Sequence, residues 1–394
     1  MNNPFRILVV LVALGMIVCG RDALAEAPDG LMVEFLRGPT VVGVADREPE
    51  FGWVTHSSRP NDVQTAYRIL VSTSLASLEK EQGDMWDSGK VDSASSINVS
   101  YGGKPLAPRQ TCFWTVKTWC SLGGESPWAA PQKFTMDDLL DGYCTSRYPL
   151  CQTEIPPQTI LKKGPGHHLI DFGKVAFGYL KLNLPQPATR MEIHFGERGD
   201  CNGVNRKPGG SVRYYRVVLR AIAPPEDGRS NHIHPPRDRR NTGPEAVLLP
   251  AEIGTVAPFR FVEIVSGPAN LTGSMIRQVA VHYPFDEQAA SFQSSSQILN
   301  DVWALCKYSM KATSFAGVYS AGDRERIPYE ADSYINQLSH YATDREYSLA
   351  RYSSTVLDLS SFDIEWRQAV TLFPVVESRE LVAYEATGLL AGDA

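Results

Sequence analysis

The sequence is poor in the patterns that would assign it to several large classes. Its 394 residues contain only seven cysteines. Setting aside Cys19, the rest (Cys112, Cys120, Cys144, Cys151, Cys201 and Cys306) are scattered and form no CxxC pair, so neither a zinc site nor a disulfide scaffold is supported. Cys144 with Cys151 is the one local pair worth testing. Positive charge is also scarce: 38 Lys and Arg stand against 44 Asp and Glu, and no basic run exceeds RDRR at Arg237 to Arg240. Nucleic acid needs a basic footprint and is not an expected partner. The apolar run Ile7 to Val18 is too short to span a bilayer. With Arg6 before it and Ala23-Leu24-Ala25 after it, it reads as a secretory signal peptide over 1–25. The expected location is therefore secreted or periplasmic, with no transmembrane segment after cleavage. A lipoprotein reading at Cys19 is disfavoured by Val18, a poor residue for that position.

What remains has the composition of a soluble globular protein, 43% apolar and 21% charged, and the length suits two or three domains. From Pro28 the text is β. YRILVST (Tyr67 to Thr73) and CFWTVKTW (Cys112 to Trp119) alternate with period two, and DSGK and YGGKP supply turns between runs. This predicts a fibronectin or immunoglobulin-like sandwich over 28–137. Trp53, Trp86, Trp114, Trp119 and Trp128 could stack on sugars, although tryptophans on sandwich strands usually fill the core.

A second β region is expected over 150–284, carried by YLKLNL (Tyr179 to Leu184), RMEIHF (Arg190 to Phe195), RYYRVVLRA (Arg213 to Ala221) and FRFVEIV (Phe259 to Val265). It reads as a larger, jelly-roll-like sandwich. Pro224 to Pro244 reads as a solvated loop, and His232 and His234 within it as loop residues rather than metal ligands.

Near Phe292 the period changes to 3.6. Ile298, Val302, Leu305, Cys306 and Met310 form one stripe after a serine cluster able to cap. A second helix follows Pro328, placed in its first turn, with Tyr334, Leu338, Tyr341 and Ala342 as its expected buried face. Asp344 can cap a third, carrying Tyr347, Leu349 and Ala350.

Ahead of the second helix stands GDRERIPYEAD, Gly322 to Asp332. Glu330 and Asp332 suit the positive end of a helix dipole. Asp323, Arg324, Glu325 and Arg326 precede the helix and read equally as a salt-bridged loop or as an acid/base site.

The chain as a whole resembles the bacterial α-L-rhamnosidases among the six-hairpin glycosidases. PEFGW (Pro49 to Trp53), QTAYRILV, MWDSGKV, FWTVKTW and ESPWAAPQKF carry the likeness at the N-terminal side, and DRERIPYEAD resembles the family's Arg-x-Glu-Arg-x-Gly-Trp-x-Gly-Asp segment. The resemblance implies a fibronectin-like domain, an accessory β-sandwich and the N-terminal part of an (α/α)6 barrel over 285–394. It implies inverting hydrolysis of terminal α-L-rhamnosides, with a rhamnose-containing oligosaccharide, polysaccharide or glycoside as partner; no cofactor or metal ligand is expected from the residues. Glu325 falls on the general acid, Asp332 on the aspartate holding sugar hydroxyls and Tyr329 on the stacking aromatic, with Arg324 and Arg326 flanking the acid. The departures are Ser320-Ala321-Gly322 for Asp-Cys-Pro, Asp323 where many members have arginine, Tyr for Trp, and Glu330-Ala331 for Thr-Gly. Asp323 is a candidate for the missing aspartate's role.

Twelve barrel helices take on the order of 300 residues, and 285–394 has room for about four. The resemblance thus implies a chain truncated within the catalytic domain, its catalytic base beyond the end, and little or no turnover. Glu365 is a candidate substitute base and Trp366 a candidate platform. The competing readings are a non-catalytic carbohydrate-binding protein and an adhesion or structural module without a sugar site.

Overall fold

The computed structural model describes residues 25–38, 42–138, 140, 147–185, 188–222, 231–243, 246–320, 322–323 and 326–360. Residues 1–24 of the leader, Cys144, Arg324, Glu325, Glu365 and Trp366 lie outside them. Among the described residues no helix is long and apolar enough to cross a membrane.

The first β region builds two antiparallel sheets. One orders Leu36–Arg37, Asp29–Val33, Glu50–Val54 and Val99–Ser100; the other runs Gln132–Thr135, Thr111–Cys120, Gln64–Ser72, Trp86–Asp87. The alternation in CFWTVKTW decides which side chains go in: Cys112, Trp114 and Val116 are completely buried, and the register sets Trp114 opposite Val71 and Val116 opposite Ile69. Phe51 and Phe134 close the core from either side. A buried indole N–H needs an acceptor. Trp114 Nε1 donates to Gln132 Oε1 at 2.8 Å, and Trp53 Nε1 to Gln64 Oε1 at 2.9 Å. Trp86 packs half-buried against this core. Trp119 and Trp128 are half-buried under the Lys117 ammonium, which lies 5.4 and 4.9 Å from their ring centres.

The second β region is a connected eight-stranded antiparallel sheet rather than two separate ones. Its path is Cys151–Ile155, Ile276–His282, His167–Leu182, Ala257–Val265, Ala188–Gly196, Tyr214–Ile222. The 16-residue central strand makes this possible by changing register between Asp171 and Ala176, where Gly173 has φ +88°. A bulge of this kind bends a strand, so one strand serves both halves of the sheet. Leu180, Leu182, Met191, Ile193, Phe195, Phe259 and Val262 fill the core beneath it.

The polar stretch read as a solvated loop is in part built into this sheet. Asn231–Ile233 pairs with Leu180 to Leu182, Ile233 is buried, and Asn241 is 3% exposed. His234 Nδ1 lies 2.9 Å from Thr255 O, and its ring packs on Tyr179 at 4.5 Å. Side-chain hydrogen bonds replace the missing apolar residues, which is how a stretch of polar composition can be buried.

The helices run Gln297–Thr313, Glu330–Thr343 and Ser348–Ser360. Their placement reverses the expected faces. Ile298, Val302, Leu305 and Cys306 are exposed, and of the expected stripe only Met310 packs inward, half-buried. On the second helix Leu338, Tyr341 and Ala342 are exposed and Tyr334 half-buried, while Glu330, Ser333, Gln337, His340 and Thr343 face inward. The inward face is held by polar contacts: Tyr308 Oη donates to Val175 O at 2.7 Å, and Tyr319 Oη meets His340 Nδ1 at 2.6 Å. Periodicity locates a stripe without saying on which side the neighbouring layer stands.

The caps also differ in detail. Tyr329 is the N-cap of the second helix, so Pro328 stands outside its first turn. Asp344 ends that helix rather than starting the third. The third helix is opened by Glu346, whose carboxylate accepts from the Ser348 N–H at 2.8 Å and the Leu349 N–H at 3.0 Å. Leu349 and Ala350 are buried as expected, and Tyr347 is half-buried.

Candidate functional site

The segment that precedes the second helix is bolted to the middle sheet by charge. Asp323 is buried and both its oxygens are taken. Oδ1 accepts from Arg326 Nε at 2.9 Å, Arg326 Nη2 at 2.6 Å and Asn241 Nδ2 at 3.0 Å, while Oδ2 accepts from Arg213 Nε at 3.2 Å. The Asp323 carbonyl accepts from Arg213 Nη2 at 2.8 Å. A carboxylate and two guanidiniums can be buried together because each is paired and hydrogen-bonded.

Arg326 carries the other end of the clamp. Its Nη2 donates to Val256 O at 2.8 Å, its carbonyl accepts from the Val247 N–H at 2.9 Å, and its guanidinium lies 5.1 Å from the Phe315 ring centre. Its φ is +57°, a left-handed conformation that costs a non-glycine residue on the order of 1–3 kcal/mol and persists where surrounding contacts over-determine it. Arg324 and Glu325 lie between these two anchors in sequence and outside the described residues.

Beside the clamp is a cavity of about 450 Å³ lined by Val175, Phe177, Glu197, Ser211, Arg213, Pro258, Asp323 and Asp332. Of the sequence-expected site residues, the structure brings Asp323 and Asp332 to this cavity. Arg326 supports it from behind, and the half-buried Tyr329 is not among its lining residues. Asp332 enters from the first turn of the second helix. Six lining residues belong to the middle sheet and its loops, and sequence reading passed over all of them. Arg213 and Phe177 had signals: an arginine just ahead of a β-strand, and a phenylalanine between alanine and glycine. Neither says that a cavity lies in front of it.

Glu197 is the notable addition. It follows the strand Ala188–Gly196, and its N–H donates to Arg213 O at 3.3 Å while its Oε1 accepts from the Arg213 N–H at 2.5 Å. Burial raises its pKa above the ordinary glutamate range, against the lowering effect of Arg213. The cavity thus offers carboxyl groups with different environments, a hydroxyl, and an apolar wall of Val175, Phe177 and Pro258. That mixture suits a neutral polyhydroxylated ligand with an apolar side.

Among the described residues, one carboxylate group has oxygens close enough to share a cation: Glu34, Asp46 and Glu50, within 4.8 Å of one another. It lies in the first sandwich, away from the cavity, and already has a positive partner. Arg351 Nη2 is 2.8 Å from Glu34 Oε2 and 2.7 Å from Glu50 Oε2.

Comparison with known proteins follows the same layout. Residues 28–139 match the family described as Rha78A-like, N-terminal immunoglobulin domain, and residues 287–360 match the bacterial alpha-L-rhamnosidase 6 hairpin glycosidase domain. The chain is similar to bacterial α-L-rhamnosidases. An α-L-rhamnosidase of Streptomyces avermitilis is 41% identical over 99 residues, 25% of this chain and 9% of that relative. One from Formosa agariphila is 38% identical over 100 residues, 25% of this chain and 10% of its own length. The matched region is therefore about a tenth of those rhamnosidases. The solved α-L-rhamnosidase from Dictyoglumus thermophilum superposes with a TM-score of 0.64 at 15% identity, covering 84% of this chain and 57% of that one, a likeness of fold.

Proposed function

We propose that this protein is an exported glycoside hydrolase that takes terminal α-L-rhamnosides, with residues 285–394 contributing to an (α/α)6 catalytic domain and Glu325 acting as the general acid. The observation that carries this reading is the meeting of the rhamnosidase-matching segment with the cavity: Asp332, within 287–360, is one of its walls. Inverting hydrolysis needs one carboxylic acid to protonate the leaving oxygen and a second carboxylate to activate water from the opposite face. Two arginines beside an acid would depress its pKa, the wrong direction for a proton donor. Arg326 is hydrogen-bonded to Asp323, whose single negative charge is shared with Arg213, so the charge of Arg326 is compensated in part before it acts on its neighbour.

The test is titration of methyl α-L-rhamnoside into the protein together with release of an aryl α-L-rhamnoside. Binding is expected, with Asp332→Asn weakening it by about tenfold or more, the scale of losing a charged hydrogen bond. Glu325→Gln should abolish whatever turnover exists, and the released sugar should have inverted anomeric configuration by NMR. Failure to bind any rhamnoside would sink the proposal. A second reading, sugar binding without catalysis, draws on the dominance of the middle sheet in the cavity wall. Tight binding with no turnover in any variant would favour it.

A further inference from the structure

The cavity's position points to a role for the middle sheet that the rhamnosidase reading alone does not assign. We propose that this sheet forms one wall of the sugar pocket and that Glu197 is a sugar-binding, specificity-determining residue which grips a ligand hydroxyl opposite Asp332. The inference deepens the proposed function and rests on that reading of the cavity.

Four observations lead to it. The register of the Ala188–Gly196 and Tyr214–Ile222 strands sets Gly196 opposite Tyr214, so the pairing carries on to Glu197 and Arg213 at the strand mouth. Glu197 is fixed there by the Arg213 N–H on Oε1. Arg213 then reaches across to Asp323 with two donors, which holds the strand mouth against the segment leading to Asp332. The clamp consumes Asp323, while Glu197 and Asp332 both line the cavity, and among the described residues neither Glu197 Oε2 nor the Asp332 carboxylate has a hydrogen-bond partner. Two carboxyl groups presented from two different layers of the fold suit a ligand with hydroxyls on more than one edge.

The apolar wall of Val175, Phe177 and Pro258 adds the other half of the recognition. Phe177 is fixed by face-to-face stacking on Phe315, with ring centres 3.9 Å apart. A rigid apolar surface next to carboxyl groups favours a sugar that carries a methyl in place of a hydroxymethyl, the 6-deoxyhexose class. The charged groups acting on Glu197 are Arg213 and Arg198, which favour its ionised form, and Asp323, which opposes it. An ionised carboxylate accepts a stronger hydrogen bond from a hydroxyl than a neutral acid does. Affinity should therefore rise with pH as Glu197 gives up its proton.

The experiment is titration calorimetry of methyl α-L-rhamnoside into the wild-type chain and its Glu197→Gln, Glu197→Ala and Asp332→Asn variants from pH 4.5 to 8, with thermal midpoints recorded for each. Glu197→Gln keeps the acceptor for the Arg213 N–H, so it should fold as the wild type does. Expected are about a tenfold loss of affinity at pH 8 in Glu197→Ala and a flattened pH dependence in Glu197→Gln. L-mannose, which differs from L-rhamnose by a hydroxyl on the methyl carbon, should bind the wild type more weakly. If Asp332→Asn weakens binding but both Glu197 variants follow the wild type at every pH, the role of Glu197 is overturned while the rhamnoside site stands. If the wild type binds no rhamnoside, both readings fall.

Discussion

Arg213 and Asp323 are 110 positions apart in the sequence and make two hydrogen bonds, guanidinium to carboxylate at 3.2 Å and guanidinium to main-chain carbonyl at 2.8 Å. Both side chains are nearly sealed from solvent, at 3% and 6% exposure. Removing one member of a buried pair leaves the other charge without compensation, at a cost of about 3–5 kcal/mol. The two positions should not respond alike. Asp323→Ala strands both Arg213 and Arg326, whereas Arg213→Met leaves Asp323 paired with Arg326. The expected order of thermal destabilisation is Asp323→Ala well beyond Arg213→Met, read by differential scanning calorimetry; equal or inverted shifts would show that the clamp is not the anchor described.

A pH effect is expected at the contact between the first sandwich and the third helix. Burial raises the Glu34 pKa well above the glutamate range, and neighbouring Glu50 adds to this while Arg351 opposes it. The folded state therefore holds this proton more tightly than the unfolded chain does. Its contribution to stability is fully present below the ordinary value near 4.5 and is lost as the pH rises through the folded value. Glu34→Gln should make the fall of thermal midpoint above pH 4.5 shallower than in the wild type, with Arg351 still paired to Glu50. Identical slopes would remove Glu34 from the account.

The reversed helix faces can be checked by a pair of substitutions. Leu305 is 64% exposed and Leu349 is fully buried. Leu349→Ala should cost about 2–5 kcal/mol, and Leu305→Gln no more than about 0.5 kcal/mol. A large loss at Leu305 would restore the inward stripe that periodicity suggests.

How far the sequence could be read follows from the kind of signal each feature leaves. Period-two alternation in CFWTVKTW and YLKLNL marks which side chains enter a core, because a strand has only two faces and Trp114, Leu180 and Leu182 had to go somewhere dry. A helix offers a continuum of faces. The hydrophobic stripe of Ile298, Val302 and Leu305 is real as a pattern, yet it does not decide what the helix packs against. Asp332 could be placed through the likeness of its segment to a family motif. Glu197 could not: a glutamate after a strand is ordinary, and its setting depends on the Arg213 backbone and the Asp323 carboxylate, contributed from elsewhere in the chain. Burial of Asn241 was hidden for the same reason, since its partner is also Asp323.

The division of the cavity between two layers bears on how such a protein can be dismantled. A cut made at the boundary between β and helical text would look clean on a domain diagram, but it would send Asp332 one way and Glu197 another. Any grafting of the helical unit onto a foreign scaffold would have to carry the strand mouth at Arg213 along with it, or rebuild most of the recess from nothing.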